Sequence, residues 1–124
     1  MKSKLESLLS QLKNAYARFK EVMEKEKTDI VRDSAIQRFE FTFELAWKTM
    51  KAYVEEKGAR VLFPKDAIKE AFRARIISDG DGWLDMLETR NMTSHIYGEV
   101  MAEKVYTRLK NYLPLIESLI RELS

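Results

Sequence analysis

Apolar residues recur at intervals of three and four along almost the whole chain, the spacing that lines one face of an α-helix. In the first stretch Leu5, Leu8, Leu12, Tyr16, Phe19, Val22 and Met23 fall on one side, with Lys, Glu and Gln on the other. The polar cluster Glu24 to Asp29 ends that stripe, and Thr28 or Asp29 is placed to cap the next helix. A second stripe of Ile36, Phe39, Phe43, Trp47, Met50 and Val54 closes near Gly58. Phe41 and Leu45 lie off it, so this helix is apolar on more than one side and is expected at the centre of a bundle. A third, shorter helix begins at Pro64, a residue favoured at the first helical position, and stops at Ser78-Asp79-Gly80-Asp81-Gly82. Trp83, Leu84, Met86 and Leu87 open a fourth helix that is expected to run toward Gly98. Met101, Val105, Leu109, Leu113, Ile116, Leu119 and Leu123 mark the last, where Pro114 is expected to kink or split the helix.

No stretch alternates with period two, so the pattern predicts an all-α fold. The expected architecture is an antiparallel up-and-down four-helix bundle with one extra short helix, a single domain over residues 1–124. Composition agrees: 45% of the 124 residues are hydrophobic, well above the disordered range. Lys and Arg exceed Asp and Glu by only two, too little for strong non-specific nucleic-acid binding, although a local basic patch is compatible with it. The absence of Cys excludes disulfides, thiolate metal sites and cysteine nucleophiles. The single His leaves a site needing two imidazoles unfilled within one protomer, and no metal or other cofactor is expected. No run approaches the roughly 20 apolar residues of a membrane span, and Met1 to Leu12 lacks the apolar core of a secretory signal. A cytoplasmic protein without membrane association is the expectation.

The densest polar group within a helical stretch is Thr89-Arg90-Asn91-Met92-Thr93-Ser94-His95-Ile96-Tyr97. A solvated helix face would draw on Glu and Lys, which form helix better than Asn, Thr, Ser and His. Two readings follow: side chains selected for chemistry, or a capped helix end before Gly98 with Asn and Ser bonding local backbone. At roughly 100° per residue, Arg90 and His95 point about 140° apart on an ideal helix. They serve one site only if the helix loosens near Met92 to Ser94, or if a second protomer completes the site. An imidazole with a reference pKa near 6.5 suits proton transfer. A guanidinium suits a phosphate, so Arg90 and His95 are the candidate catalytic pair, with Asn91, Ser94 and Tyr97 as candidate binding residues.

The segment Ile36-Gln37-Arg38-Phe39-Glu40-Phe41-Thr42-Phe43-Glu44-Leu45-Ala46-Trp47-Lys48 resembles the signature of the nucleotidyltransferase substrate-binding proteins. Trp83-Leu84-Asp85-Met86-Leu87 followed by Arg90-Asn91-Met92-Thr93-Ser94-His95-Ile96-Tyr97 resembles their second block. The likeness covers nearly the whole chain and departs at Phe63, where Ser commonly precedes the proline. That family lies within the HEPN domains, whose Arg-x4–6-His hallmark corresponds to Arg90 and His95. The resemblance implies a bundle that works beside a minimal nucleotidyltransferase in a two-component, toxin–antitoxin-like system, as a substrate-binding or target subunit and as a homodimer. It also implies an alternative, a metal-independent ribonuclease using Arg90 and His95 on RNA, silenced by adenylylation of Tyr97. Either way the chain lacks the Gly-Ser turn and Asp-x-Asp strand of a nucleotidyltransferase of its own.

Other groupings carry less. Asp79-Gly80-Asp81-Gly82 resembles the start of a calcium loop, yet Arg90 stands where a bidentate Glu is required, and a capped turn explains it better. Glu40 and Glu44, four apart, lack a Glu-x-x-His partner for a di-iron bundle, and instead suit pairing with Arg38, Lys48 or Arg90. Lys65, Lys69, Arg73 and Arg75 make the third helix basic, more simply a solvated face than an RNA or partner contact. Trp47 and Trp83 are expected in the core or a dimer seam.

Overall fold

The computed structural model describes residues 2–96 and 98–124, and among these no strand occurs. The helices are α1 (Lys4–Met23), α2 (Asp29–Glu56), α3 (Pro64–Arg73), α4 (Gly80–Met92), α5 (Glu99–Leu109) and α6 (Leu113–Leu123), with 3₁₀ turns at Thr93–His95 and Lys110–Tyr112. Their directions follow from the contacts. Thr42 Oγ1 donates to Ala15 O at 3.3 Å and Arg38 NH1 to Arg18 O at 2.7 Å, so α2 returns antiparallel to α1. Glu103 meets Arg32, and the Tyr112 ring stacks on Phe39 at 5.5 Å, so α5 runs the same way as α2. Gly82 lies against Leu115 and Met92 against Arg108, so α4 runs opposite to α5 and α6. With α5 and α6 as one interrupted rod, the result is the expected up-and-down four-helix bundle, with α3 as its short extra element.

The multi-sided burial expected of the second helix is present. α2 packs against α1, α3, α4 and α5, and Phe39, Phe43, Ala46 and Met50 along it are fully buried. Phe39 is the hub of an aromatic chain, its ring centroid 5.9 Å from Phe19 and 6.4 Å from Phe43. Trp83 is buried in the core, whereas Trp47 is half-buried.

The helix ends follow local chemistry. Thr28 caps α2 by accepting from Val31 N at 3.1 Å, and Asp79 caps α4 by accepting from Gly82 N at 2.8 Å. The Asp79 turn is therefore the capped turn, not a calcium loop. A Cβ added at Gly82 would come within 2.5 Å of the Asp79 carboxylate and 2.9 Å of Leu115 Cδ1, so the capping side chain would have to shift. At Phe63 half of a reciprocal cap survives: the Asp66 carboxylate accepts from Phe63 N at 3.1 Å, while Phe63 has no side-chain oxygen to return the bond. α3 ends with Arg75 at φ 63°, a left-handed position that Gly usually fills, its N–H bonding Phe72 O at 3.1 Å.

Two helices differ from their expected form. The fourth does not run on to Gly98; it ends at Met92, tightens into a 3₁₀ turn and leaves through extended backbone at Ile96. Asn91, Thr93, Ser94 and His95 are weak helix formers, which favours a helix end here. Within the turn Thr93 Oγ1 donates to Arg90 O at 2.6 Å. The last helix is split rather than kinked. Pro114 sits at the second residue of α6, where its missing N–H leaves no intrahelical bond unmade.

One polar tie closes the open end of the bundle. Arg32, 5% exposed, reaches Glu103 at 3.1 Å, Asp33 at 3.0 Å and Asp29 at 3.6 Å, and Lys27 joins at Glu103. The hydrogen bond from Lys27, then that from Arg32, holds the Glu103 carboxyl below its ordinary value of 4.5. A carboxyl whose value is depressed by folding stabilises the fold above its unfolded value and loses that contribution as pH falls through the folded one. Urea melts of the wild type are therefore expected to lose stability below about pH 4.5 more steeply than those of Glu103→Gln, and parallel curves would contradict this.

Candidate functional site

The polar cluster is built around the end of α4. Arg90 lies in its last turn with 23% of its side chain exposed, and it turns toward α2. Its Nε lies 3.4 Å from Glu44 Oε1 and its NH1 lies 3.8 Å from Glu40 Oε2. Glu44 is itself oriented, since Trp47 Nε1 donates to its Oε2 at 3.1 Å. The pairing of Glu40 and Glu44 with Arg90 is one of those their spacing suited. Arg90 NH1 also donates to Thr93 Oγ1 at 3.1 Å. Arg90 Nε is buried and makes no hydrogen bond of good geometry, so charge rather than alignment holds it against Glu44.

His95 closes the 3₁₀ turn and is exposed, as are Asn91 and Ser94. The break after Met92 is the loosening that the helix-face arithmetic required of a site contained in one protomer. It places the imidazole on an exposed turn, three residues beyond the last residue of α4. Tyr97, the remaining binding and modification candidate, lies outside the described residues. Among the described residues no group of three or more His, Cys, Asp or Glu side chains is placed to hold a metal ion.

A second polar network crosses from α4 to the split rod, and residue spacing had not singled it out. Tyr112 Oη donates to Asp85 Oδ2 at 2.7 Å and lies 2.6 Å from Thr89 Oγ1, while Arg108 NH1 approaches Thr89 Oγ1 at 3.4 Å. Thr89 and Tyr112 are both buried. Burial, with the Asp85 carboxylate beside it, pushes the Tyr112 hydroxyl up to about 12, so it stays protonated and keeps donating at neutral pH. Asp85, Thr89 and Tyr112 look in sequence like a surface carboxylate and two helix-interior residues, and only long-range packing joins them.

A concavity lies elsewhere. A groove of about 760 Å³ between α3 and the start of α4 is lined by Lys69, Phe72, Arg73, Asp79, Asp81 and Leu84. It contains none of the motif residues, and its walls carry both signs of charge. Lys65, Lys69, Arg73 and Arg75 are all exposed, with Arg73 paired to Glu70 at 3.4 Å, the solvated face expected of them.

These features define a helical bundle with an arginine–histidine motif at the end of its third long helix. The chain belongs to the family described as nucleotidyltransferase substrate binding protein like, whose model matches residues 7–124. Among curated proteins it is 34% identical over 93 residues to a probable ribonuclease HepT of Haemophilus influenzae; the match covers 68% of this chain and 64% of that relative's length. A solved structure from Thermus thermophilus is 35% identical, covers 90% of this chain and 98% of its own, and superposes with a TM-score of 0.83. HI0074 of Haemophilus influenzae, described as revealing the fold of a substrate binding domain of a nucleotidyltransferase, is 26% identical, with a TM-score of 0.80 over 93% of this chain and 98% of that one. Chains of toxin–antitoxin complexes share the fold at 16% identity, a likeness of fold alone. No helix among the described residues is long and apolar enough to cross a membrane.

The buried hydroxyls give a direct test of the network. Tyr112→Phe removes the donor to Asp85 and the partner of the buried Thr89 hydroxyl while leaving the stacked ring on Phe39. It is expected to cost about 1–2 kcal/mol in urea denaturation, and a variant as stable as wild type would show that the network contributes nothing.

Proposed function

We propose that this protein is the substrate-binding and target subunit of a two-component system whose other member is a minimal nucleotidyltransferase. The observation that carries this reading is the family match over residues 7–124, joined to an exposed turn that presents the motif. The bundle supplies a surface, and the nucleotidyltransferase supplies the carboxylates and nucleotide site that this chain lacks. In the target role the Tyr97 hydroxyl attacks the α-phosphorus of ATP, forming an O–P bond as the bond to the bridging oxygen breaks and pyrophosphate leaves. The phenolic proton passes to a base on the partner. Purified protein mixed with the nucleotidyltransferase encoded alongside it and ATP is expected to form a stable complex or to add one AMP to the Tyr97 peptide. Absence of both overturns the reading.

A second reading is favoured by the relative named as a probable ribonuclease and by the exposure of His95 one turn beyond Arg90. The ribose 2′-hydroxyl attacks the adjacent phosphorus, the bond to the 5′-oxygen breaks, and a 2′,3′-cyclic phosphate and a 5′-hydroxyl result. In this reading His95 moves the proton, Arg90 stabilises charge on the phosphate, and Asn91 and Ser94 hold its oxygens. RNA incubated in EDTA is expected to be cleaved by wild type and left intact by His95→Ala; intact RNA with both removes this reading.

The site is proposed to work in a cytoplasmic homodimer. Ile30 and Val100 are 81% and 87% exposed in the first turns of α2 and α5. The Arg32–Glu103 pair ties those turns together at the end of the bundle that carries the Thr93–His95 turn. A self-association face there would bring two motif turns together across a two-fold axis. Light scattering at micromolar concentration is expected to give the mass of a dimer, and Ile30→Glu with Val100→Glu that of a monomer. A monomeric wild type contradicts the arrangement.

A further inference from the structure

Arg90 enters the site with its charge already answered. Glu40 and Glu44 both stand within ion-pair distance, so the trio carries a net negative charge. A phosphate approaching Arg90 alone meets two carboxylates and one guanidinium, and repulsion offsets most of the attraction. The affinity for an anion at this end of α4 therefore requires another cation.

Arg108, in the last turn of α5, has different surroundings. Its NH1 lies 3.4 Å from Thr89 Oγ1 and 3.5 Å from Met92 Sδ, both in the last turns of α4. Among the described residues it forms no ion pair with a carboxylate. Two hydroxyls connect it to the Asp85 carboxylate, and the direction of the relay is forced. The Asp85 carboxylate only accepts, so Tyr112 donates to it. Thr89 must then donate to Tyr112, which turns a lone pair of Thr89 Oγ1 toward Arg108. The guanidinium is thus oriented by a neutral oxygen and a thioether while its charge stays available. It flanks the last turn of α4 on the side facing α5, as Arg90 does on the side facing α2.

We propose that Arg108 is a phosphate-binding residue of this site, taking the phosphate group of a nucleotide or of an RNA strand presented to the Thr93–His95 turn. The inference rests on the reading that the motif end of α4 receives a nucleotide or RNA. Arg90, braced by Glu44 and Trp47, then fixes the geometry of the turn, and Arg108 supplies the uncommitted charge.

The test uses the full chain and two probes, a fluorescein-labelled single-stranded oligoribonucleotide followed by anisotropy and ATP followed by calorimetry, both across a range of salt. Arg108→Gln keeps a donor toward Thr89 and removes the charge. It is expected to weaken binding of at least one probe about tenfold and, for the oligonucleotide, to lower the salt slope by about 0.7 per copy. Arg108→Lys is expected to keep most of the slope, which a purely structural role would not predict, and thermal melts of both variants confirm that they fold. Loss confined to the oligonucleotide assigns the phosphate to an RNA strand, and loss confined to ATP assigns it to a free nucleotide. Wild-type affinity and slope in Arg108→Gln, or no binding of either probe by wild type, overturns the proposal. Co-elution of Arg108→Gln with the nucleotidyltransferase, measured with neither ATP nor RNA present, is read separately, so the subunit reading stands or falls on its own.

Discussion

A guanidinium drawn out of water against an apolar bundle is costly unless polar groups answer its charge, and for Arg90 the carboxylates that do so determine where the end of α4 rests. Glu40 and Glu44 lie one helical turn apart on α2, and Arg90 is the residue of α4 that reaches both. α2 can offer those carboxylates because it buries Phe39, Phe43 and Ala46 on its other sides and is held from several directions. The Trp47 indole then fixes the Glu44 carboxylate. The position of the motif turn thus follows from one polar seam on a helix that is otherwise the core of the molecule.

The same seam continues into the turn that follows the helix. Arg90 donates to Thr93 Oγ1, and Thr93 Oγ1 donates to Arg90 O, so one residue is bound through both its side chain and its carbonyl. Asn91, Thr93, Ser94 and His95 are weak helix formers, and the backbone tightens here into a 3₁₀ turn, which exposes His95 where a regular helix would have carried it about 140° from Arg90.

Much of this was legible in the residues, and what was not has a physical cause. Periodicity located the helices because each buries one stripe, and the second, apolar on several sides, declared itself central through Phe41 and Leu45. The angular mismatch between Arg90 and His95 pointed to a break near Met92, although the apolar pattern suggested a helix reaching Gly98; the weak helix formers from Asn91 to His95 were the signal that favoured the break. Pro114 announced an interruption, and its place at the second residue of α6 made that a split. The pairing of Glu40 and Glu44 with Arg90 was one of several that charge and spacing allowed. Arg108 left no signal, because an arginine in a helix reads as solvated surface until packing shows which groups it faces.

That difference between Arg90 and Arg108 bears on how the site can act. A residue whose charge is answered by two carboxylates is poorly suited to capture an anion from solution, yet well suited to keep a turn in place when an anion arrives. A residue held by a hydroxyl and a thioether is suited to the opposite task. The relay from Arg108 to Asp85 lets the bundle hold that charge next to its core without a direct ion pair, because two buried hydroxyls carry the polarisation to a carboxylate at the surface. Fixing geometry and attracting charge are thereby assigned to different arginines on opposite flanks of one helix end, and the exposed imidazole stands just beyond both.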